Sequence, residues 1–230
     1  MLRLALLLLA VPAAAEEFSV VSWNIHKGKH LARVEKELTS SSLSKASLFA
    51  LQEVLTDQLS GVSHAAGRDA IISRWKLKKR GHVLVNPETG RVAAWADAVS
   101  PDGTTIRIYS LHLSYKIGRN PFIPHVRTAE MRAVLDHADP VDGPIIVAGD
   151  FNTVGWFFCC NRSAPLLHLL HKRGYTDALA ASNVDCNTQH IVGTVDWIFV
   201  KGLTPISATC GNYAGSDHKW IQATLKGAVR

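Results

Sequence analysis

Six short segments of the chain contain polar side chains of the types that suit catalysis or metal binding. The clearest is Ile145 to Asn152, an apolar run that ends in an aspartate and an asparagine. Because successive side chains of a strand point to opposite faces, Asp150 and Asn152 should lie on the same face as Ile146. An apolar row that ends in a carboxylate and an amide places both groups at the rim of a buried sheet, where a ligand can reach them.

Five further segments repeat this arrangement. Asn24 and His112 each end a row of same-face side chains that begins apolar. Glu53 directly follows an apolar run, Asp196 begins one, and Asp217 and His218 are adjacent near the C-terminus. A single polar residue at a strand end is ordinary, but six such segments in one chain indicate a shared site.

If these side chains converge, their types define the chemistry. Most offer hard oxygen ligands and none is a thiolate, which suits Mg²⁺, Mn²⁺ or Ca²⁺ better than Zn²⁺. Since clustered carboxylates repel one another, a divalent cation is needed to hold them ionised and close together. Histidine beside carboxylate transfers protons near neutral pH. Together these groups favour hydrolysis of a phosphate ester, either a phosphodiester or a phosphomonoester.

Length and composition predict one exported domain. The chain has 230 residues, 47% of them hydrophobic, which is enough for one sizeable core over residues 16–230. Residues 1–15 have the pattern of a secretory signal peptide, with Arg3, an apolar stretch from Leu4 to Val11, and small residues up to Ala15. This stretch is shorter than the ~20 residues that span a bilayer. We therefore expect cleavage near Ala15 and a periplasmic or secreted protein whose mature chain has no transmembrane segment.

Export makes disulfides the expected state of the cysteines. The four cysteines are Cys159, Cys160, Cys186 and Cys210. The sequence leaves all three pairings open. Because adjacent cysteines rarely bridge each other, we expect the Cys159–Cys160 pair to bridge to the other two, or one cysteine to stay free. Such a bridge would tie the loop after Asn152 to the segments around Asp196 and Asp217.

The charge of the chain narrows its partners to anions. The formal net charge is +6, and a basic surface favours nucleic acid or acidic lipid headgroups. The dense basic cluster from Arg74 to Arg80 is explained equally well as a solvated face. The loop from Lys116 to Pro124 is basic, contains glycine and proline, and directly follows His112, so we expect it to contact substrate. We expect a monomer that acts on nucleic acid in preference to lipid headgroups.

Periodicity predicts an α/β layered fold. Helical spacing covers Leu31 to Leu43, His125 to His137 and Leu166 to Lys172, with Gly174 as the cap of the last helix. Strands outnumber these helices, and the helices fall between them, which favours layers of both kinds. The strand-like runs are 18–25, 47–51, 69–73, 82–86, 92–99, 106–113, 145–149, 195–200 and 219–225.

In type and order, these residues resemble the endonuclease/exonuclease/phosphatase superfamily. This group contains pancreatic-type deoxyribonucleases, exonuclease III-like apurinic endonucleases, neutral sphingomyelinases and inositol polyphosphate 5-phosphatases. The resemblance covers nearly the whole mature chain and implies a compact four-layered α/β sandwich, in which two packed, mainly antiparallel sheets are flanked by helices. The matching motifs are Ser22-Trp23-Asn24-Ile25, Leu51-Gln52-Glu53-Val54, Ile71-Ile72-Ser73-Arg74, Leu111-His112-Leu113, Ala148-Gly149-Asp150-Phe151-Asn152, Val195-Asp196-Trp197-Ile198-Phe199 and Ser216-Asp217-His218.

The resemblance implies a metal site and a water-activating group. Glu53 would be the main magnesium ligand, assisted by Asn24 and Asp217. Asp150 would orient or deprotonate the attacking water, and Asn152 would hold a phosphate oxygen.

The resemblance also implies roles for both histidines. His218, paired with Asp196, would be a general base or a transition-state donor, and His112 would contact the scissile phosphate. Two departures from the family pattern concern substrate contact. Only eighteen residues separate Glu53 from Ile72, which indicates a trimmed segment, and the sequence before Asp196 lacks the arginine that many members have.

Other functional classes stay open. The same residues would serve a phosphatase or a phospholipase C-type phosphodiesterase that acts on lipid headgroups or small phosphate esters. A non-catalytic binding module on the same scaffold is a further alternative. A hydrolase with Ser216 as its nucleophile fits poorly, because no Gly-x-Ser-x-Gly motif occurs and Glu53 and Asp150 would have no role.

Overall fold

The computed structural model describes residues 16–55, 59–115, 124–153, 164–190 and 193–227. The predicted signal peptide and most of the basic loop after His112 lie outside these ranges, so the predictions about them stay predictions. Cys159 and Cys160 also lie outside the described residues. Within the described part of the chain, two sheets of six strands pack face to face. Helices pack on the outer faces of both sheets.

The two sheets are mixed but mainly antiparallel. In spatial order, the first sheet consists of Leu203–Cys210 (β11), Ile221–Gly227 (β12), Glu17–Asn24 (β1), Leu48–Gln52 (β2), Asp69–Ser73 (β4) and His64–Ala66 (β3). The second consists of Lys76–Asn86 (β5), Arg91–Val99 (β6), Thr105–His112 (β7), Ile145–Asp150 (β8), Asp196–Lys201 (β10) and Thr176–Asp177 (β9). Among the described strands, β1 pairs with β2 and β7 with β8 in parallel, and the other pairs are antiparallel.

The described residues form four α-helices, of which three flank the sheets and the fourth contributes Ala178 and Leu179 to the cluster between them. They are Leu31–Leu38 (α1), Pro124–Ala138 (α2), Pro165–Lys172 (α3) and Ala178–Ala181 (α4). The helix predicted from Leu31 to Leu43 is shorter than expected, because Thr39 begins a run of hydroxyl side chains that compete for backbone hydrogen bonds. Each described helix is too short or too polar to cross a bilayer.

Three apolar clusters follow from the alternation of side chains in the strands. Phe18 and Val20 of β1 belong to the cluster between the sheets, whereas Val21 and Trp23 pack with α1 on the outer face. The outer face of the second sheet packs with α2 and α3 in the same way. Full burial of one such apolar side chain contributes about 1.5–3 kcal/mol. The expected four-layered sandwich is confirmed.

A disulfide joins Cys186 and Cys210, whose Cα atoms lie 6.0 Å apart. The expectation that these two cysteines bridge to Cys159 and Cys160 is therefore wrong. The physical reason is that Cys186, which follows α4, lies in the core between the sheets, and Cys210, at the end of β11, packs against that core. The bridge ties the segment after α4 to an edge strand rather than to the loop after Asn152.

Candidate active site

Strand direction and register bring the predicted residues to one end of the sandwich. The carboxyl ends of the parallel strands β7 and β8 place His112 opposite Asp150. Strand β10 runs antiparallel to β8 and begins at the same edge, with Asp196 opposite Asp150. In the first sheet, the ends of β1 and β2 pair Asn24 with Gln52. The rim position predicted from alternation is therefore observed in both sheets.

Asn24 links the two sheets through its side chain. Its Nδ2 donates to Asp150 Oδ2 at 3.0 Å and to Glu53 Oε1 at 3.4 Å. Its Oδ1 accepts the backbone N–H of His26 at 3.0 Å. The amide therefore holds two carboxylates together at the centre of the site.

Glu53 turns away from the strand that precedes it. Its φ of 56° lies in the left-handed region, which is uncommon for a residue other than glycine and frequent at functional sites. One carboxylate oxygen, Oε2, is buried and has no hydrogen-bond partner among the described residues. Burying an unpaired carboxylate oxygen is costly, so this atom fits a cation ligand.

His112 lies between the carboxylates of Glu53 and Asp150. Its Nε2 is 3.5 Å from Asp150 Oδ2, and its Nδ1 is 4.0 Å from Glu53 Oε1. The backbone N–H of His112 donates to Asp69 Oδ2 at 3.2 Å, and its carbonyl accepts from Arg91 at 2.6 Å. Both the ring and the backbone of His112 are therefore held in place by contacts.

His218 and Asp196 form a buried pair. The Nδ1 of His218 is 2.8 Å from Asp196 Oδ2, and its Nε2 is 3.8 Å from Asp150 Oδ2. Burial alone disfavours the imidazolium, but the charge and hydrogen bond of Asp196, with Asp150, outweigh it and raise the pKa of His218 to about 10. Burial raises the pKa of Asp196, and the facing imidazolium opposes that shift. We assign the shared proton to His218, since carboxylates lie on both sides of its ring.

Gly149 and Asn152 fix the end of β8 and the residues that follow it. A Cβ on Gly149 would lie 1.9 Å from the carbonyl oxygen of Leu111, so the close approach of β8 to β7 requires glycine. The backbone N–H of Asn152 donates to Asp150 Oδ1 at 2.8 Å, and its Nδ2 donates to the Leu113 carbonyl at 2.9 Å. These bonds orient the Asp150 carboxylate.

Asp217 lies at the margin of the site. Its carboxylate is 3.3 Å from His26 Nδ1, and its side chain is 44% exposed. The neighbouring Ser216 Oγ donates to the Asn24 carbonyl at 2.6 Å and accepts the His218 N–H at 3.0 Å. Ser216 therefore ties the loop to β1, which gives the hydroxyl a structural task in place of a nucleophilic one.

Two residues next to the site, Asp69 and Arg91, were not predicted. Asp69 is 3% exposed, and burial raises its pKa well above the usual range, against the opposing charge of Arg91. Strand β4 is antiparallel to β2, so its first residue lies at the same edge as the last residue of β2. A polar residue at the start of a strand was the signal that located Asp196, and it would have located Asp69.

The donor set fits a hard divalent cation. Ligand atoms of Asp150, Asp196 and His218 lie within 4.8 Å of one another and could hold a metal ion. The unpartnered Glu53 Oε2 offers a second position on the other side of Asp150. We favour the position beside Glu53 for the cation, because Asp196 and His218 already satisfy each other through a hydrogen bond.

Comparisons with known proteins agree with this geometry. The model of the Endonuclease/Exonuclease/phosphatase family matches residues 21–218. No curated protein matches the sequence.

Solved structures show the same fold at low sequence identity. An endonuclease/exonuclease/phosphatase family protein of Bacteroides thetaiotaomicron has a TM-score of 0.73 at 14% identity, with 94% of this chain and 100% of that one covered. A mannosyl-6-phosphatase of the same species has a TM-score of 0.64 at 15% identity, over 90% and 99%. Truncated TDP2 of Caenorhabditis elegans has a TM-score of 0.64 at 18% identity, over 92% and 98%. At these identities, the likeness concerns the fold alone.

Proposed function

The chain belongs to the endonuclease/exonuclease/phosphatase family, and we propose that it is an exported, Mg²⁺-dependent nuclease that hydrolyses phosphodiester bonds. Members of this family hydrolyse phosphate esters and generally use divalent metal ions. One observation carries the proposal: Asp150 accepts a hydrogen bond from Asn24 and lies within 4 Å of both His112 and His218. A carboxylate between two imidazoles, beside the cation ligand Glu53, suits activation of water next to phosphate.

Each residue has a distinct role in this proposal. Glu53 would hold the cation, with Asn24 and Asp217 as the further ligands that the family resemblance implies. When bound, the cation neutralises the carboxylates and the phosphate oxygens and stabilises the charge that develops in the transition state. Asp150 orients the attacking water and takes its proton as the water oxygen bonds to phosphorus. The bond from phosphorus to the leaving oxygen breaks in the same displacement, and the leaving alkoxide takes a proton from solvent. Asn152 positions Asp150 through its backbone N–H, and its side-chain amide, which donates one hydrogen to the Leu113 carbonyl, keeps a second N–H for a phosphate oxygen.

The two histidines supply hydrogen-bond donors to the phosphate, and His218 also supplies positive charge. His218 donates from Nε2 while Asp196 holds the opposite ring nitrogen, which keeps the imidazolium form available at neutral pH. His112 contacts the scissile phosphate from the other side of Asp150. Two donors and a cation around one phosphate would stabilise the additional negative charge of the transition state.

The test compares Asp150→Asn and His218→Ala with Asp142→Asn, a control whose exposed carboxylate lies at the opposite end of β8. The substrates are plasmid DNA, RNA and bis(p-nitrophenyl) phosphate, with Mg²⁺ or with chelator. We expect both site variants to lose activity by about 100-fold or more while they stay folded, because a positioned base or donor contributes that much. Full activity in either site variant, or wild-type activity that survives the chelator, would contradict the proposal.

A second candidate is a phosphatase that acts on small phosphate esters. A cavity of about 360 Å³ lies beside Glu53 and His112 and is lined by Arg68, Arg91 and Thr89. This volume and its two guanidinium groups fit a small polar leaving group. Phosphate release from a sugar phosphate, without nicking of plasmid DNA, would favour this candidate. Turnover of sphingomyelin or a phosphoinositide would instead point to a lipid headgroup.

A further inference from the structure

A basic cavity of about 530 Å³ lies beside α1 and the loop before β12, whereas the Arg68 and Arg91 cavity lies beside the starts of β4 and β6. It adjoins the catalytic residues, because Ser216 and Asp217 in its wall directly precede His218, and Ser216 donates to the Asn24 carbonyl. The residues that matter in it are Lys29, His30, Arg33, His190, Tyr213 and Asp217.

The charge of this cavity is positive. Lys29 and Arg33 are exposed, and neither makes an ion pair with a carboxylate of the described residues. His26, His30 and His190 add imidazole donors. Among the described residues of the wall, Asp217 is the one carboxylate, and it lies 3.3 Å from His26 Nδ1. Unpaired cations beside a phosphate-cleaving centre favour a second anionic group of the substrate.

An aromatic platform lies in the same cavity. The rings of His190 and Tyr213 are stacked, with centroids 3.7 Å apart and planes inclined by 17°. His190 is the exposed member of the stack. The ammonium of Lys219 lies 5.4 Å from the centroid of Tyr213. Aromatic side chains next to basic side chains bind single-stranded nucleic acid, because every nucleotide carries a base that can stack and a phosphate that can pair with a cation.

The wall that carries this platform is packed tightly on α1. Gly215 has a φ of +95°, and a Cβ there would lie 2.9 Å from the Cβ of His30 and 3.0 Å from that of Arg33. The loop with Tyr213 and the first turn of α1 are thus held at van der Waals distance. The cations and the platform therefore form one preorganised surface, which reduces the entropic cost of binding.

We propose that this cavity binds the nucleotide next to the scissile phosphate of a nucleic acid strand. Lys29 and Arg33 bind the flanking phosphate, and the exposed face of His190 stacks on the base. The inference rests on the proposed phosphodiesterase function and gives it a substrate class. A lipid headgroup would supply the phosphate but has no ring to meet the platform.

The first experiment measures kcat/KM for a single-stranded oligonucleotide and for bis(p-nitrophenyl) phosphate in the double variant Lys29→Ala/Arg33→Ala. We expect kcat/KM for the oligonucleotide, divided by kcat/KM for bis(p-nitrophenyl) phosphate, to fall about tenfold relative to wild type. The reason is that the flanking phosphate contact is lost only from the oligonucleotide. The matched control is Lys78→Ala/Lys79→Ala, which removes the same charge from exposed positions near the far end of β5. An equal ratio in both double variants would overturn the inference.

The second experiment measures binding of a fluorescent oligonucleotide by anisotropy, in chelator, so that it does not depend on turnover. His190→Ala should weaken binding about fivefold or more, which is the usual contribution of one stacked base. The loss should vanish on an abasic oligonucleotide of the same length, because the phosphates are unchanged. A loss of equal size on both oligonucleotides would overturn the stacking assignment.

The two experiments separate the inference from the function on which it rests. If wild-type protein hydrolyses neither substrate yet binds the oligonucleotide through Lys29 and Arg33, the proposed function fails and the cavity assignment stands. If both substrates are hydrolysed and the variants bind the oligonucleotide as wild type does, the cavity assignment fails alone. Binding to anionic lipid vesicles that is lost in Lys29→Ala/Arg33→Ala, without loss of oligonucleotide binding, would replace nucleic acid with a membrane.

Discussion

At the scale of single residues, His112 is held by its peptide as well as by its ring. Asp69 accepts the N–H of His112, and Arg91 donates to its carbonyl, so one side chain from each sheet fixes the peptide groups on the two sides of His112. Burial raises the pKa of Asp69 well above the usual range of a carboxyl, and the charge of Arg91 only partly opposes this shift. The acceptor oxygen of Asp69 therefore matters more than its negative charge.

This difference predicts unequal effects of two substitutions at Asp69. Asp69→Ala should lower kcat by about tenfold or more, because loss of the hydrogen bond displaces His112 from its catalytic geometry. It should also destabilise the fold by about 1–3 kcal/mol, since a buried N–H is left unpaired. Asp69→Asn keeps an acceptor and should retain most activity. Steady-state kinetics and urea unfolding of both variants test this, and equal damage in the two would show that the charge is required.

The buried pair of His218 and Asp196 predicts a pH dependence. Because the folded-state pKa of His218 is raised to about 10, its stabilising contribution is fully present below the unfolded pKa of about 6.5 and is lost as the pH rises through the folded value. Asp196→Asn removes the main stabilising charge, so the pKa of His218 should fall by about one unit or more. NMR titration of the imidazole in chelator measures the shift. An unchanged pKa would show that Asp150 alone stabilises the imidazolium.

At the scale of secondary-structure elements, alternation located the site but not every strand. The rows that end in Asn24 and Asp150 could be predicted because a period of two fixes the face of each side chain. Strands β3 and β9 have three and two residues, too few to show a period. Strand β11 contains Pro205 and a bulge after it, features that are tolerated at the edge of a sheet and hide a strand in the sequence.

Which residues pair with each other across the sandwich depends on contacts that no local sequence pattern encodes. The Cys186–Cys210 bridge is an example, because the sequence left three pairings open and only the packing of α4 against β11 selects this one. The hydrogen bond from Asn24 to Asp150 is another, since it joins the two sheets across 126 positions of sequence. The types of the site residues could thus be predicted from local pattern, whereas their partners could not; the His218–Asp196 pair was implied only by the resemblance to the family.

The disulfide gives a prediction that belongs to the elements it joins. The bridge closes a loop with a sequence separation of 24 residues. Cys186→Ala/Cys210→Ala should lower the free energy of unfolding of the oxidised protein by about 3 kcal/mol, mainly because the unfolded chain gains freedom. Guanidinium unfolding with and without reductant measures the effect. The reductant should destabilise wild type and leave the double variant unchanged; equal sensitivity of both proteins would show that this bridge does not stabilise the fold.

At the scale of the whole molecule, the described N-terminus and the site lie at opposite ends of one strand. Strand β1 begins at Glu17 and ends at Asn24 in the active site. Eight residues of strand span roughly 25 Å. The predicted leader precedes β1, so it would join the domain at the end remote from the catalytic residues, and its removal after Ala15 would leave all of β1 in place.

This separation predicts the outcome of processing. We expect expression of the full chain in a bacterial host to yield an exported protein whose first residue is Glu16, because the leader has the charge, apolar length and small-residue end that signal peptidase requires. A variant that starts at Glu16, made without a leader and refolded under oxidising conditions, should equal the processed protein in kcat and KM. N-terminal sequencing of the periplasmic and cytoplasmic fractions tests the first expectation, with Leu6→Arg/Leu8→Arg as the control that disrupts the apolar run. Retention of the wild-type leader in the cytoplasm would refute export, whereas lower activity of the Glu16 variant alone would show that the leader contributes to folding.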